Sequence, residues 1–126
     1  MHFTRAGLLA AVCLVLAIGG LASCGGDSSA ASKNCRSATG GQVTLVASNV
    51  AWNASCLDAK PGTVDFTVDN KDDVQHNLRV SGNGVNEHTK LQNGPVTQHL
   101  SVRLAAGTYT YVCDIHANME GKLYVK

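Results

Sequence analysis

Apolar and polar positions alternate with a period of two along much of the chain beyond residue 40. Val43, Leu45 and Ala47 alternate with Thr44 and Val46, and Val64, Phe66 and Val68 with Asp65, Thr67 and Asp69. Leu100, Val102 and Leu104 alternate with Ser101 and Arg103, and Leu78 and Val80 continue the pattern after His76. A period of two sends successive side chains to opposite faces of a pleated strand, so each run predicts a strand with one face turned to a core. Turn formers separate the runs: Lys60-Pro61-Gly62, residues 70–73, residues 81–86, Asn93-Gly94-Pro95 and Ala106-Gly107. Several short strands at this spacing predict an all-β fold, an antiparallel sandwich or barrel. The last two strands, residues 107–113 and 122–126, flank a polar loop. Alternation through Tyr109 and Tyr111 places Cys113 on the core face with those rings.

The first residues follow another pattern. Arg5 precedes an apolar run over residues 6–22 that has no internal charge and ends in small residues, which reads as a secretory signal peptide over residues 1–23. The boundary Leu21-Ala22-Ser23-Cys24 resembles the bacterial lipobox, in which the cysteine is lipidated and becomes the first residue of the mature protein. The alternatives are an ordinary cleaved signal or an uncleaved anchor. Residues 24–34, rich in Gly, Ser and Ala, then read as a lipidated flexible tether. Residues 35–126 are left as one domain, too short for a large multidomain enzyme. The expected location is extracytoplasmic, on a bacterial membrane through Cys24, facing the periplasm or the outer side of the cell membrane. No second apolar segment is long enough to cross a bilayer.

Export changes the reading of the cysteines. Of the five, Cys13 leaves with the signal, Cys24 takes the lipid and Cys113 sits among metal-ligating residues. Cys35 and Cys56 remain as a disulfide pair suited to an oxidising compartment, the alternative being two free thiols. Such a bridge contributes about 3 kcal/mol on the chain-entropy account. Charge excludes rather than identifies. Loss of Arg5 from the ten Lys and Arg balances the nine Asp and Glu, and no basic stripe calls for nucleic acid.

The sharpest chemistry lies in residues 111–121. Cys113, His116 and Met119 offer a thiolate, an imidazole and a thioether three residues apart, and His76 offers a second imidazole upstream. Two histidines, one cysteine and one methionine make up the donor set of a blue-copper electron-transfer site, where soft sulfur suits Cu(I) and nitrogen suits Cu(II). Each residue has a plainer reading. Cys113 can be a small buried hydrophobe, His76 a hydrogen-bonded strand histidine and Met119 a core filler; only their joint spacing argues for one metal. His88 and His99 lack partner motifs and read as surface or strand histidines. Trp52 and the tyrosines read as core.

The Cys-x-x-His-x-x-Met loop followed by Gly121, the upstream His76-Asn77 pair and the approach strand Gly107-Thr108-Tyr109-Thr110-Tyr111 resemble the cupredoxins, the blue type 1 copper proteins, of the amicyanin and plastocyanin type. The resemblance implies a Greek-key β-sandwich of about eight strands with one copper ion at one end. It implies His76, Cys113, His116 and Met119 as ligands. Asn77 is expected to hydrogen-bond across to the ligand loop and tie the two halves of the site together. Asp114, where amicyanin-type relatives carry Ser or Thr, is expected to lower the potential. The implied function is single-electron transfer between redox protein partners by a monomer; the alternative is extracytoplasmic copper storage or delivery. Enzyme activity is not expected. Four protein ligands leave no open position for substrate, and the His-x-His pairs of multicopper oxidases are missing.

Overall fold

The computed structural model describes residues 34–126. The expected signal peptide, Cys24 and all but the last residue of the expected tether lie outside the described residues. Among the described residues, eleven strands follow in chain order: β1 (Arg36–Ser37), β2 (Gln42–Ala47), β3 (Cys56–Ala59), β4 (Gly62–Asn70), β5 (Gln75–His76), β6 (Arg79–Gly82), β7 (Val85–His88), β8 (Gln92–Asn93), β9 (Val96–Leu104), β10 (Gly107–Cys113) and β11 (His116–Val125). Three of them, β1, β5 and β8, are two-residue pairings, and the other eight are the strands of the sandwich. The all-β sandwich expected from the alternation is therefore present.

One sheet has the order β1-β3-β11-β10-β6-β7 and the facing sheet the order β2-β4-β9. The chain passes between sheets rather than running as a meander, which sets β2 parallel to β4 and β3 parallel to β11. The small β5-β8 ladder, pairing His76 with Gln92, stands apart from both. Alternation explains the core. In β4 the inward residues Val64, Phe66 and Val68 are at most 1% exposed, while Asp65 faces out. Leu57, Val80 and Leu123 of the larger sheet meet them from the other side, with Leu78 just ahead of β6 in the same cluster. Each such side chain contributes about 1.5–3 kcal/mol on full burial.

Both buried tyrosines satisfy their hydroxyls on backbone. Tyr109 donates to the carbonyl of Ala105 at 2.9 Å and Tyr111 to that of Ala54 at 2.7 Å. Burial pushes the Tyr111 phenol up to about 12. The Cys35–Cys56 disulfide is formed and fastens the start of β1 to the start of β3, with the two Cα atoms 4.8 Å apart.

Tyr111 also explains a glycine. Gly121 is its direct cross-strand partner in the β10–β11 ladder, and the Tyr111 ring lies over the space that a Cβ on residue 121 would fill. Gly121→Ala is expected to destabilise the protein by about 1–3 kcal/mol through overpacking. Urea unfolding should show a lower midpoint with an unchanged slope, and Tyr111→Leu introduced beside it should recover part of the loss.

Candidate metal centre

The centre is made where the β10–β11 ladder changes register. Pairing runs regularly from Gly107↔Val125 to Val112↔Glu120, and the next pair is Cys113↔His116. Ala117, Asn118 and Met119 are expelled from the ladder by that shift. Inward alternation along β10 ends on Cys113, which is 4% exposed, and the expelled segment returns Met119 to the interior at 0%. Cys113, Met119 and Ala47 form a small apolar cluster, with Val50 and Trp52 packed against it.

His76 arrives from β5 and is 1% exposed. Its Nδ1 lies 3.7 Å from Cys113 Sγ, and His116 Nδ1 lies 3.5 Å from the same sulfur. The three donor atoms all fall within 4.8 Å of one another. The imidazole centroids are 4.7 Å apart at an interplanar angle of 57°. Two donors bound to one ion at about 2.0–2.3 Å each can be separated by at most about 4.3 Å. Both sulfur–nitrogen distances fall inside that limit, so one ion can sit against Sγ and either nitrogen. The donor types, two imidazoles, a thiolate and a buried thioether, fit copper in a type 1 arrangement.

His76 is fixed at its other nitrogen. Nε2 lies 2.9 Å from Asp72 Oδ2, and an ionised carboxylate only accepts. Nε2 therefore carries the hydrogen, leaving the Nδ1 lone pair toward the sulfur. Asp72 also accepts from two backbone amides, Asn49 N–H at 2.7 Å and Val50 N–H at 2.9 Å. The amide of Val50, then the His76 ring and the amide of Asn49, hold the Asp72 carboxyl below its ordinary pKa against partial burial.

Asn77 and Arg79 converge on the residue after the cysteine. Asn77 Oδ1 accepts the Asp114 backbone N–H at 2.9 Å, and its Nδ2 donates to Asp114 Oδ2 at 2.7 Å. Arg79 forks onto both oxygens of Asp114, at 2.7 and 2.9 Å. The guanidinium, then the Asn77 amide, depress the Asp114 carboxyl. The Asp114 carboxylate beside the thiolate thus faces a cation. Thr89, buried, accepts the Leu78 N–H through Oγ1 at 2.9 Å and offers its carbonyl to Asn77 Nδ2 at 3.5 Å, which holds the far side of this bridge.

The expelled segment is tied to the connection that follows β2 by two further bonds. Trp52 Nε1 donates to the Met119 carbonyl at 3.1 Å, and Asn118 Nδ2 to the Val50 carbonyl at 2.9 Å. Val50 sits in a two-residue turn closed by reciprocal Ser48 and Ala51 hydrogen bonds. Asn49 and Val50 have φ of 54° and 56°, the signature of a type I′ turn, whose second central residue is ordinarily glycine. A β-branched residue there costs about 1–3 kcal/mol.

The structure thus brings His76, Cys113, His116 and Met119 to one end of the sandwich, with Asn77 and Asp114 beside them. His88 and His99 stay outside: His88 Nδ1 contacts the Thr89 carbonyl, and His99 pairs with Thr67 on the far sheet. Asp72, Arg79 and Val50 were not singled out by sequence, and Trp52 was read only as core. For Arg79 a signal existed. With Leu78 and Val80 inward, Asn77 and Arg79 share the other face and reach the same partner. For Asp72, in a loop without periodicity, there was none.

A β-sandwich with this donor set at one end is the design of a type 1 copper protein. The chain belongs to the cupredoxin-like domain family, whose sequence pattern matches residues 11–125. Auracyanin A, a "blue" copper protein from the green thermophilic photosynthetic bacterium Chloroflexus aurantiacus, superposes with a TM-score of 0.59 at 23% identity, covering 68% of this chain and 98% of auracyanin. A reduced amicyanin mutant superposes at 0.57 with 21% identity, covering 70% of this chain and 85% of amicyanin. The copper-containing nitrite reductase of Thermus scotoductus gives 0.54 at 22% identity, over 68% of this chain but only 22% of the reductase. No curated protein sequence matches this chain.

Depressed carboxyls set the acid stability. Asp72 and Asp114 bind protons less readily folded than unfolded, so their stabilisation is complete above the ordinary carboxylate pKa of about 3.9 and fades as pH falls through the lower folded values. Arg79→Ala is expected to cost about 1 kcal/mol at pH 7. In a urea series that difference should shrink as pH falls below the ordinary carboxylate range and vanish once pH has passed the lowered Asp114 value, where the carboxyl is neutral in both proteins.

Proposed function

We propose that this protein is an extracytoplasmic, lipid-anchored blue copper protein that passes single electrons between redox protein partners. The observation that carries the reading is the convergence of His76 Nδ1, Cys113 Sγ and His116 Nδ1 over a buried Met119. Copper, when bound, supplies a one-electron Cu(I)/Cu(II) couple. The chain's own part is to keep the donors still while charge changes. Asp72 holds His76 in the tautomer that ligates, the Asn77–Asp114 bridge locks the start of the ligand segment, and Trp52 and Asn118 lock its end.

The donors differ in access. His76, Cys113 and Met119 are buried, whereas His116 is half-buried and follows the exposed Ile115. The His116 edge is therefore the shortest way in or out for an electron. An exchange partner would meet little net charge, which predicts modest salt dependence of association.

The same burial argues against turnover. Catalytic metal sites keep a coordination position open to substrate, and here the three buried donors and the His116 edge close the centre. The nitrite reductase likeness concerns one domain's fold. A nitrite- or oxygen-reduction assay showing copper-dependent turnover would overturn the carrier reading.

The anchor rests on the sequence of residues 1–24 together with the Cys35–Cys56 bridge, which suits an oxidising compartment. Cys24→Ser is expected to release the protein from the membrane fraction.

Adding Cu(II) to the purified protein should give intense visible thiolate-to-copper absorption that bleaches with ascorbate and is lost in Cys113→Ser. A colourless, copper-free protein would sink the proposal. Mixing the reduced, loaded protein with a Cu(I) acceptor separates the two readings of the family: a carrier keeps its metal through repeated redox cycles, and a storage or delivery protein surrenders it.

A further inference from the structure

Asp72 belongs to neither the expected ligands nor the Asn77–Asp114 bridge, yet its carboxylate meets three donors from two unrelated parts of the chain. Oδ1 takes the Asn49 N–H at 2.7 Å, and Oδ2 takes both the Val50 N–H at 2.9 Å and His76 Nε2 at 2.9 Å. The two amides are consecutive and lie in the turn with φ of 54° and 56°. Backbone N–H groups presented side by side in this way make a concavity for an anion, and here the anion is a side chain of the same protein.

The carboxylate is itself placed from below. Asn70, 1% exposed, accepts the Asp72 N–H on Oδ1 at 2.9 Å and donates through Nδ2 to the carbonyls of Val74 and Gln92 at 2.9 and 3.1 Å. The side chain of Asp72 is 16% exposed, enough for the carboxylate to stay ionised and too little for water to replace its partners freely.

The position of Val50 shows what the turn is for. A glycine there would adopt the same backbone conformation at no steric cost. Valine adds a side chain that packs against the Cys113–Met119 cluster, while its carbonyl accepts from Asn118 on the ligand segment. The turn is thus a strained cover seated on the sulfur donors. Its two exposed amides would otherwise be free to open to water.

We propose that Asp72 is a positioning residue that couples this cover to the His76 ring, so that one carboxylate fixes the imidazole and the Val50 seat over the sulfur donors together. The proposal rests on the copper reading for its consequences, but the clamp belongs to the metal-free protein and is measurable there. His76 cannot turn without giving up the oxygen that holds Val50. Equally, lifting the cover unloads the partner that sets the His76 tautomer.

The test uses the full chain in three forms: wild type, Asp72→Asn and Val50→Gly. In metal-free wild type, amide hydrogen exchange at Asn49 and Val50 is expected to be protected, and nitrogen-15 shifts of His76 should report hydrogen on Nε2. Asp72→Asn removes one acceptor oxygen and points an amide at the donors. It should speed exchange at both amides by roughly tenfold or more and weaken Cu(II) retention by roughly 10–100-fold, with a shifted charge-transfer band. Val50→Gly should leave the two amides protected, because the turn is relaxed, yet speed Cu(I) capture by a chelator, because the seat is gone.

Unprotected amides at Asn49 and Val50 in wild type would overturn the clamp without any variant having to fold. So would Asp72→Asn with wild-type amide exchange, or with loosened amides and an unchanged copper spectrum and retention. If wild type shows the protected turn and binds no copper, the functional reading fails while the clamp stands, so the two failures are told apart.

Discussion

The register change between Val112↔Glu120 and Cys113↔His116 is the constraint on which the rest of the structure depends. A regular ladder would have set Cys113 opposite Met119 and carried His116 out beyond the strand end. With Ala117, Asn118 and Met119 expelled, two donors lie side by side and the third turns inward. A ladder broken in this way forfeits backbone hydrogen bonds, and an unpaired polar group near a core is expensive. Side chains make good the loss: Asn77 receives the Asp114 N–H, Trp52 takes up the Met119 carbonyl, and Asn118 reaches the turn at Val50. The irregular backbone persists because the sheets on either side over-determine it.

Much of this was legible in the sequence because it follows from periods of two. Strands β2, β4, β9 and β10 were visible as alternating runs, and the inward setting of Cys113 followed from Tyr109 and Tyr111. The ligand residues were visible as chemical types at short spacing. β11 was not visible in full: residues 116–121 were read as loop, because a strand that sheds three named side chains loses its alternation. The two-residue strands β5 and β8 were hidden for another reason. They are held by Asn70 and the neighbouring chain, and such pairings leave no mark on hydropathy. The charge balance around Asp114 was not legible, because the cation that faces it, Arg79, lies on another strand and only the fold brings it near.

Local preference and global need conflict openly at Val50. A type I′ turn asks for glycine, and the apolar cluster asks for a side chain. The structure keeps the side chain and steadies the backbone with a carboxylate, which sets the conflict beside the metal centre rather than in the core. Natural folds concentrate such departures where function needs them. The main core, by contrast, is orthodox: inward aliphatics and two tyrosines with satisfied hydroxyls.

The covalent link between Cys35 and Cys56 has a mechanical side. β1 offers only Arg36↔Leu57 and Ser37↔Asp58 to resist peeling, whereas β3 lies between β1 and β11 with parallel partners on both edges. Tension entering from the N-terminal side reaches the sulfur bridge before it reaches β1's ladder, and passes directly into β3. There it acts along the strand, as shear shared over several hydrogen bonds, instead of opening them one at a time. A tug on the leading segment is thereby spread across the sheet, and the far end of β11, where His116 and Met119 sit, is spared the strain.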